Sequence, residues 1–289
     1  YGSLILTGQK GGDGGDGDIE GANEGYSSYM RLMFYMQELS TDNFLMPSSS
    51  NGLRKCLNLQ WDASNASVIR WTYQRLYMTI AYCNELLREC TEEKLKSRGL
   101  WNQLGGECTS YRAEARFIRA YCYASLCDMF GAVPYIDENT GVKDIPAQWS
   151  RKQIFEFAEN ELKDIQKDLK APGENVYARV DCVADWFLLS RMYLNAKTWI
   201  GEDRYDDALT YAKKVIEDGH YPLASDYRHI FLADNDQCKE IIWPLVQDGL
   251  KAQSSGGTNF YVKAFVNGPM DELYNTCLLY TSDAADDSL

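Results

Sequence analysis

Histidine is almost missing from this 289-residue chain, with only His220 and His229 present. Neither lies near a plausible nucleophile in sequence, which thins the case for imidazole-bound metal or histidine-based catalysis. There is no G-x-S-x-G elbow, no P-loop and no H-E-x-x-H, so the hydrolase, nucleotide-binding and metalloprotease signatures find no support. No apolar run approaches the roughly 18 residues that a membrane-spanning helix needs. Nine cysteines include no CxxC pair, which removes zinc ribbons and thioredoxin-type sites. Positive charge is scarce: 29 Lys and Arg stand against 42 Asp and Glu, a net charge of −13. A nucleic-acid reader needs a basic face, so nucleic acid is excluded as a partner. Adsorption to anionic lipid is disfavoured for the same reason.

What is present is helical periodicity. Apolar residues recur at spacings of three and four over 24–39 (Tyr26, Tyr29, Met30, Met33, Phe34, Met36) and over 65–90 (Val68, Thr72, Leu76, Ile80, Cys83, Leu87). The same spacing runs through 111–129, with Ala113, Phe117, Ala120, Ala124 and Cys127. Ser150 with Gln153 forms a capping box. It opens a helix carrying Ile154, Ala158, Leu162, Ile165 and Leu169, which Pro172-Gly173 closes. Further helices are predicted over 180–196 and over Tyr205–Asp218, where Ala208, Ala212, Val215 and Ile216 form the stripe and Gly219 is the natural C′ residue. Only 240–246, with Ile241, Ile242 and Trp243, reads as a short strand. Ala120-x-x-Tyr123 and Ser190-x-x-Tyr193 lie 70 residues apart, about two tetratricopeptide periods. Tyr205-x-x-Ala208 resembles the second helix of such a repeat. The expected fold class is therefore all-α, a tetratricopeptide-like array of helical pairs with long irregular loops and minor short strands.

Residues 8–18 are glycine- and aspartate-rich, which means loop. Asp16, Asp18, Glu20 and Gly21 fit the start of an EF-hand-like calcium loop. Ser27 stands where the bidentate glutamate should be, so calcium is not supported, no cofactor is expected and a solvated turn is the default. The segment Cys277 through Asp287 resembles the translation of a sequencing adapter, which would end the native sequence near Thr276 and leave eight native cysteines. Most of these fall inside apolar helical patterns, where a thiol packs as a small hydrophobe.

The aromatics carry the functional signal. Seven Trp and twenty Tyr are many for this length, and several fall outside the helical stripes. Trp61 lies in a polar loop, Trp149 just before the capping box, Trp199 in a connection, and Tyr261 after Gly256-Gly257-Thr258-Asn259. An exposed ring can stack on the apolar face of a sugar while nearby polar groups bond its hydroxyls, the usual mixture in small-ligand sites. The long connection 47–64 is the first choice, with Trp61, Arg54, Asn51 and Asp62; Trp149 and Tyr261 complete the candidate set. Packing beneath a loop is the competing reading for each ring. Trp71, Trp101, Trp186 and Trp243 read as core.

The run Tyr111-Arg-Ala-Glu-Ala-Arg-Phe-Ile-Arg-Ala-Tyr-Cys-Tyr-Ala-Ser-Leu-Cys-Asp-Met-Phe-Gly-Ala-Val-Pro-Tyr135 closely resembles the central signature of the SusD/RagB family. Gln37–Asp42, the Trp71–Tyr77 stretch with Ile80 and Asn84, Ser150–Ile154, and Gly219–Leu223 with Phe231 and Glu240-Ile-Ile resemble further family stretches in the same order. The resemblance spans about residues 1–275. It implies that 1–276 is the N-terminal and tetratricopeptide region of a SusD-like domain whose C-terminal part is missing. It also implies an outward-facing outer-membrane lipoprotein of Bacteroidetes, not an enzyme, that captures glycan for a SusC-like TonB-dependent receptor. The membrane would then be reached only through a lipid anchor absent from this chain. The cysteines could be buried thiols or disulfides. Alternatives are a peptide-binding member of the same importer family, a cytosolic tetratricopeptide scaffold, and a helical glycosidase, since paired carboxylates cannot be recognised in an acidic sequence.

Overall fold

A computed structural model describes residues 1–5, 18–20, 22, 27–41, 51–62, 67–218, 220–232 and 234–247. The candidate ligand residue Tyr261, the expected C′ residue Gly219 and the segment from Cys277 onward lie outside these residues. The chain divides into two compact units, Tyr1–Met78 with Leu245–Leu289, and Thr79–Pro244.

In the first unit, α1 (Gly2–Ile5) and α2 (Tyr29–Gln37) are followed by α3 (Asn51–Leu57) and by the first half of α4 (Ser67–Glu89). Leu32, Tyr35, Leu39, Leu53, Cys56 and Val68 form the core, with Phe34, Met36 and Trp71 packed against it. Of the expected stripe α2 buries Tyr29, but its other buried apolar residues are Leu32 and Tyr35 rather than the methionines, with Leu39 buried just past its end. Arg31 shares the buried side, and its Nε donates to the Tyr35 hydroxyl one turn on, at 2.6 Å. The α4 stripe is as predicted, with Val68, Thr72, Leu76, Ile80, Cys83 and Leu87 all buried. Arg75 shares that buried face. Its fully buried guanidinium grips both Asp18 oxygens at 2.6 Å and donates from Nε to the Ser27 carbonyl at 2.9 Å. A buried cation needs such full pairing to offset its lost hydration.

In the second unit, α5 (Glu92–Ser97) is a short helix capped by Thr91, whose hydroxyl accepts from Lys94 N at 3.3 Å. Neither α3 nor α5 shows in the apolar periodicity, because each spans under two turns. α6 (Trp101–Met129) begins ten residues before the predicted start and buries Ala113, Phe117, Ala120, Ala124 and Cys127. Gly131, at φ +76°, turns the chain out of α6 with its N–H on the Leu126 carbonyl. β1 (Val133–Pro134) and β2 (Gln148–Trp149) then pair antiparallel with Val133 opposite Trp149. The capping box at Ser150 and Gln153 has both its bonds, and it starts α7 (Arg151–Ile165). That helix ends short of Pro172-Gly173. α8 (Cys182–Ile200) opens on Asp181, whose carboxylate accepts from Val183 N and Ala184 N, and closes on Gly201 at φ +76°. α9 is Tyr205–Asp218 as predicted, although Ile216 faces solvent instead of the core.

The helices of this unit pack in sequence, α6 on α7, α7 on α8 and α8 on α9, as a tetratricopeptide-like array requires. Tyr123 and Tyr193 of the proposed repeat are both fully buried, and Ser190 reaches the Ala208 carbonyl at 3.2 Å. The predicted strand at 240–246 does not form. Trp243 instead sits edge-on to Phe117 and Tyr121, at 5.2 and 5.3 Å, so its apolar pattern reflects docking on α6 and not a ladder. All eight cysteines among the described residues are free thiols, and all but Cys90 are buried.

Candidate functional site

Two places hold predicted site residues, and each is described by itself. In the first unit, α3 ends in a left-handed turn at Leu59, φ 54°, with Gln60 N donating to the Lys55 carbonyl at 2.8 Å. A leucine in that region is strained by its Cβ, and the helix-closing bond holds it there. The turn presents Leu59 and Trp61 to solvent, Trp61 at 48% exposure. Lys55 and Asp62 form an ion pair at 2.8 Å beside them, and Arg54 is exposed on α3. The connection 47–64 is therefore not a plain loop, since α3 occupies its middle. Asn51 is the first residue of α3, and its side chain is not among the described ones.

In the second unit, the β1–β2 ladder places Trp149 flat on Tyr135, with ring centroids 3.8 Å apart and planes 7° from parallel. Phe157 of α7 meets Tyr135 edge-on at 4.9 Å and Trp149 at 6.3 Å. Tyr123 closes the cluster from α6, at 5.3 Å from Phe157. Burial pushes the Tyr135 hydroxyl up to about 12. Beside the rings runs an open groove of about 490 Å³, lined by Trp149 and Phe157 and by Arg116, Gln153, Glu156, Asn160, Glu161 and Asp164. The α7 residues come from the face beside the buried Ile154–Ala158–Leu162 stripe, at spacings of three and four.

The groove's charged floor is already paired. Arg116 donates to Glu161 at 2.7 Å and to Asp164 at 2.7 Å. Arg119, nearly fully buried, donates to Glu161 at 2.7 Å, to Asn84 at 2.7 Å and to Glu138. Burial works against both guanidinium charges, but the carboxylates outweigh it and hold both above their ordinary value. Glu138 is likewise held low: burial opposes its charge, and Arg119 more than compensates.

Trp199 belongs to the last turn of α8, edge-on to Phe155 at 6.4 Å, and not to a connection. Trp186 is buried, while Trp71, Trp101 and Trp243 are partly buried. Of the calcium-loop residues, Asp18 has both oxygens committed to Arg75, and Asp16 is outside the described residues. Among the described residues no cluster of His, Cys, Asp and Glu could hold a metal ion. Tyr135, Phe157, Arg116 and Asn160 are not site candidates in the sequence, and Gln153 stands out there only as a helix cap. Phe157 and Asn160 could have been found as the second, half-polar stripe of α7; Tyr135 is seen only through its stacking.

The family described as "Starch-binding associating with outer membrane", a SusD-like family, matches residues 19–194. The starch-binding protein SusD of Bacteroides thetaiotaomicron is 34% identical over 267 residues, which are 91% of this chain and 46% of that protein. SusD-like protein P25 of Formosa agariphila is 23% identical over 54% of this chain and 30% of its own length. The chain thus spans less than half the length of these curated relatives. Among solved structures, surface glycan-binding protein A from Bacteroides fluxus superposes with TM-score 0.65 at 19% identity, over 93% of this chain and 54% of its own. A SusD superfamily protein from Bacteroides vulgatus gives TM-score 0.61 at 18% identity, over 77% of this chain and 45% of its own. At these identities the structures speak to the fold alone.

Proposed function

The chain belongs to the SusD-like family, and from that premise we propose that it is a non-catalytic glycan-binding protein of the outer membrane. It captures oligosaccharide and hands it to a SusC-like TonB-dependent transporter, and a lipid anchor holds it at the outer surface. The family's description and the names of the starch-binding and glycan-binding relatives support this reading. Among the described residues no helix is long and apolar enough to cross a membrane.

One observation carries the reading: Trp61 stands half exposed on a closed turn, between Gln60 and the Lys55–Asp62 pair. A large ring left in water is available to a sugar face, and the Lys55–Asp62 pair makes the edge of that face polar. Affinity electrophoresis in gels containing starch and other neutral polysaccharides tests it. Trp61→Ala is expected to weaken retention about tenfold or more, the scale of losing one central aromatic anchor. Wild-type protein that no polysaccharide retards would overturn the glycan reading.

A further inference from the structure

We propose that the α6–α7 groove beside Trp149 is a second glycan contact, selective for neutral oligosaccharides over polyanionic ones. The inference rests on the glycan reading above and adds to it a place and a ligand class. At about 490 Å³ the groove falls within the size range of small-molecule sites. Its aromatic wall is fixed before any ligand arrives. Tyr135 covers one face of Trp149, and Phe157 props both rings edge-on, so the accessible part of the Trp149 ring is held on the groove. A preset wall spares the ligand the entropy of ordering it.

The polar lining divides into two sets. Arg116 bonds both Glu161 and Asp164, and the three form the floor. Gln153, Glu156 and Asn160 stand exposed along α7 on the same groove. Gln153 spends its carbonyl oxygen on the Ser150 cap, receiving bonds at 3.0 and 2.9 Å. Among the described residues its amide nitrogen and the whole Asn160 amide have no hydrogen-bond partner. Glu156 is only loosely held, 3.9 Å from Lys152. Two amides and a carboxylate beside a fixed ring match a sugar that offers an apolar face and several hydroxyls. Charge sets the selectivity. The lining holds three carboxylates against one guanidinium that is already paired, so a uronate or sulfate would meet repulsion with no free cation to receive it.

Titration of the full chain with maltoheptaose and with tri-galacturonate, by calorimetry, tests this. Trp149→Ala and Asn160→Ala are each expected to lower maltoheptaose affinity or remove one of two binding events, fivefold or more, with wild-type tri-galacturonate binding undetected. Asn160 is exposed and makes no internal bond, so that variant separates lost binding from lost folding. Glu156→Lys is expected to raise tri-galacturonate binding above wild type. Unchanged maltoheptaose binding by both Trp149→Ala and Asn160→Ala, with loss in Trp61→Ala, sinks the groove and leaves the glycan reading standing. Tri-galacturonate binding equal to that of maltoheptaose in the wild type overturns the selectivity. No binding of any oligosaccharide by the wild type sinks both.

Discussion

Tyr123 of α6 and Tyr193 of α8 occupy matching places in the repeat, yet their hydroxyls answer to different partners. The Tyr123 hydroxyl donates to the Ile136 carbonyl at 2.9 Å and accepts from the Ile136 N–H at 2.8 Å. It therefore clips α6 to the connection that carries Tyr135. The Tyr193 hydroxyl donates to Glu159 of α7 at 2.8 Å. Glu159 also receives Arg204 at 2.9 Å and Lys163 at 2.6 Å. The second tyrosine therefore ties α8 to the helix before it. Burial raises both hydroxyls well above the ordinary tyrosine value, and for Tyr193 the Glu159 charge adds to it. The repeat dictates a buried ring at each place, and a buried hydroxyl must find a partner. Which partner it finds is local. The Tyr123 partner serves the groove, whereas the Tyr193 partner serves the stacking of helices.

The largest break in this comparison is expected from Arg119→Met. Removing a nearly fully buried guanidinium leaves Glu138 and Glu161 without it, a loss of about 3–5 kcal/mol in urea unfolding. A loss below about 1 kcal/mol would show that the charged cluster beneath the Tyr123 side contributes little. Glu159→Gln comes next, at about 2–3 kcal/mol at pH 7, since hydrogen bonds to a charged group are lost. Its pH dependence has a definite sign. Burial opposes the Glu159 charge, but Arg204, Lys163 and Tyr193 hold its carboxyl below the usual value. Its contribution is thus present above the unfolded glutamate range, near pH 4.5, and fades as pH falls through the lowered folded value. The gap in Tm between wild type and Glu159→Gln should shrink on going from pH 7 to pH 3.5; a constant gap would contradict the ion cluster.

The tyrosines themselves sharpen the contrast. Tyr123→Phe strips both polar groups of Ile136 of their partner, whereas Tyr193→Phe leaves Glu159 with two cations. Thermal unfolding should show about 2 kcal/mol lost for the first and about 1 kcal/mol for the second. Equal losses would erase the distinction. Ser150→Ala should cost least, about 0.5–1 kcal/mol by circular dichroism, by removing one capping hydroxyl at α7. Because that cap sets where Trp149 enters the groove wall, ligand affinity should fall less than for Trp149→Ala.

Much of the frame was legible residue by residue. The Ser150–Gln153 box, the bounds of α9, the buried stripes of α4, α6 and α7 and the paired tyrosines all follow from spacing and capping, which are set within a turn or two of chain. The errors share another cause. α2 turns Leu32 and Tyr35 into the core instead of Met33, and in place of a strand at 240–246 Trp243 docks on α6. At the candidate sites, Trp61 was read correctly as exposed and Trp149 as a ring outside the core pattern. Tyr135, Arg116 and Asn160 were invisible, because they meet Trp149 only after α6, the ladder and α7 come together.

By itself the sequence determined the helical class, the repeat, the family signature and the excess of negative charge, since periodicity, motif order and net charge are properties of the chain. Only the tertiary structure decided which aromatic faces are covered and which are open. Trp149 gained Tyr135 from 14 residues away, Trp243 gained Phe117 from 126 residues away, and Trp61 kept about half of its surface in water. Exposure is a relation between a side chain and neighbours supplied by distant segments, and no local pattern fixes it.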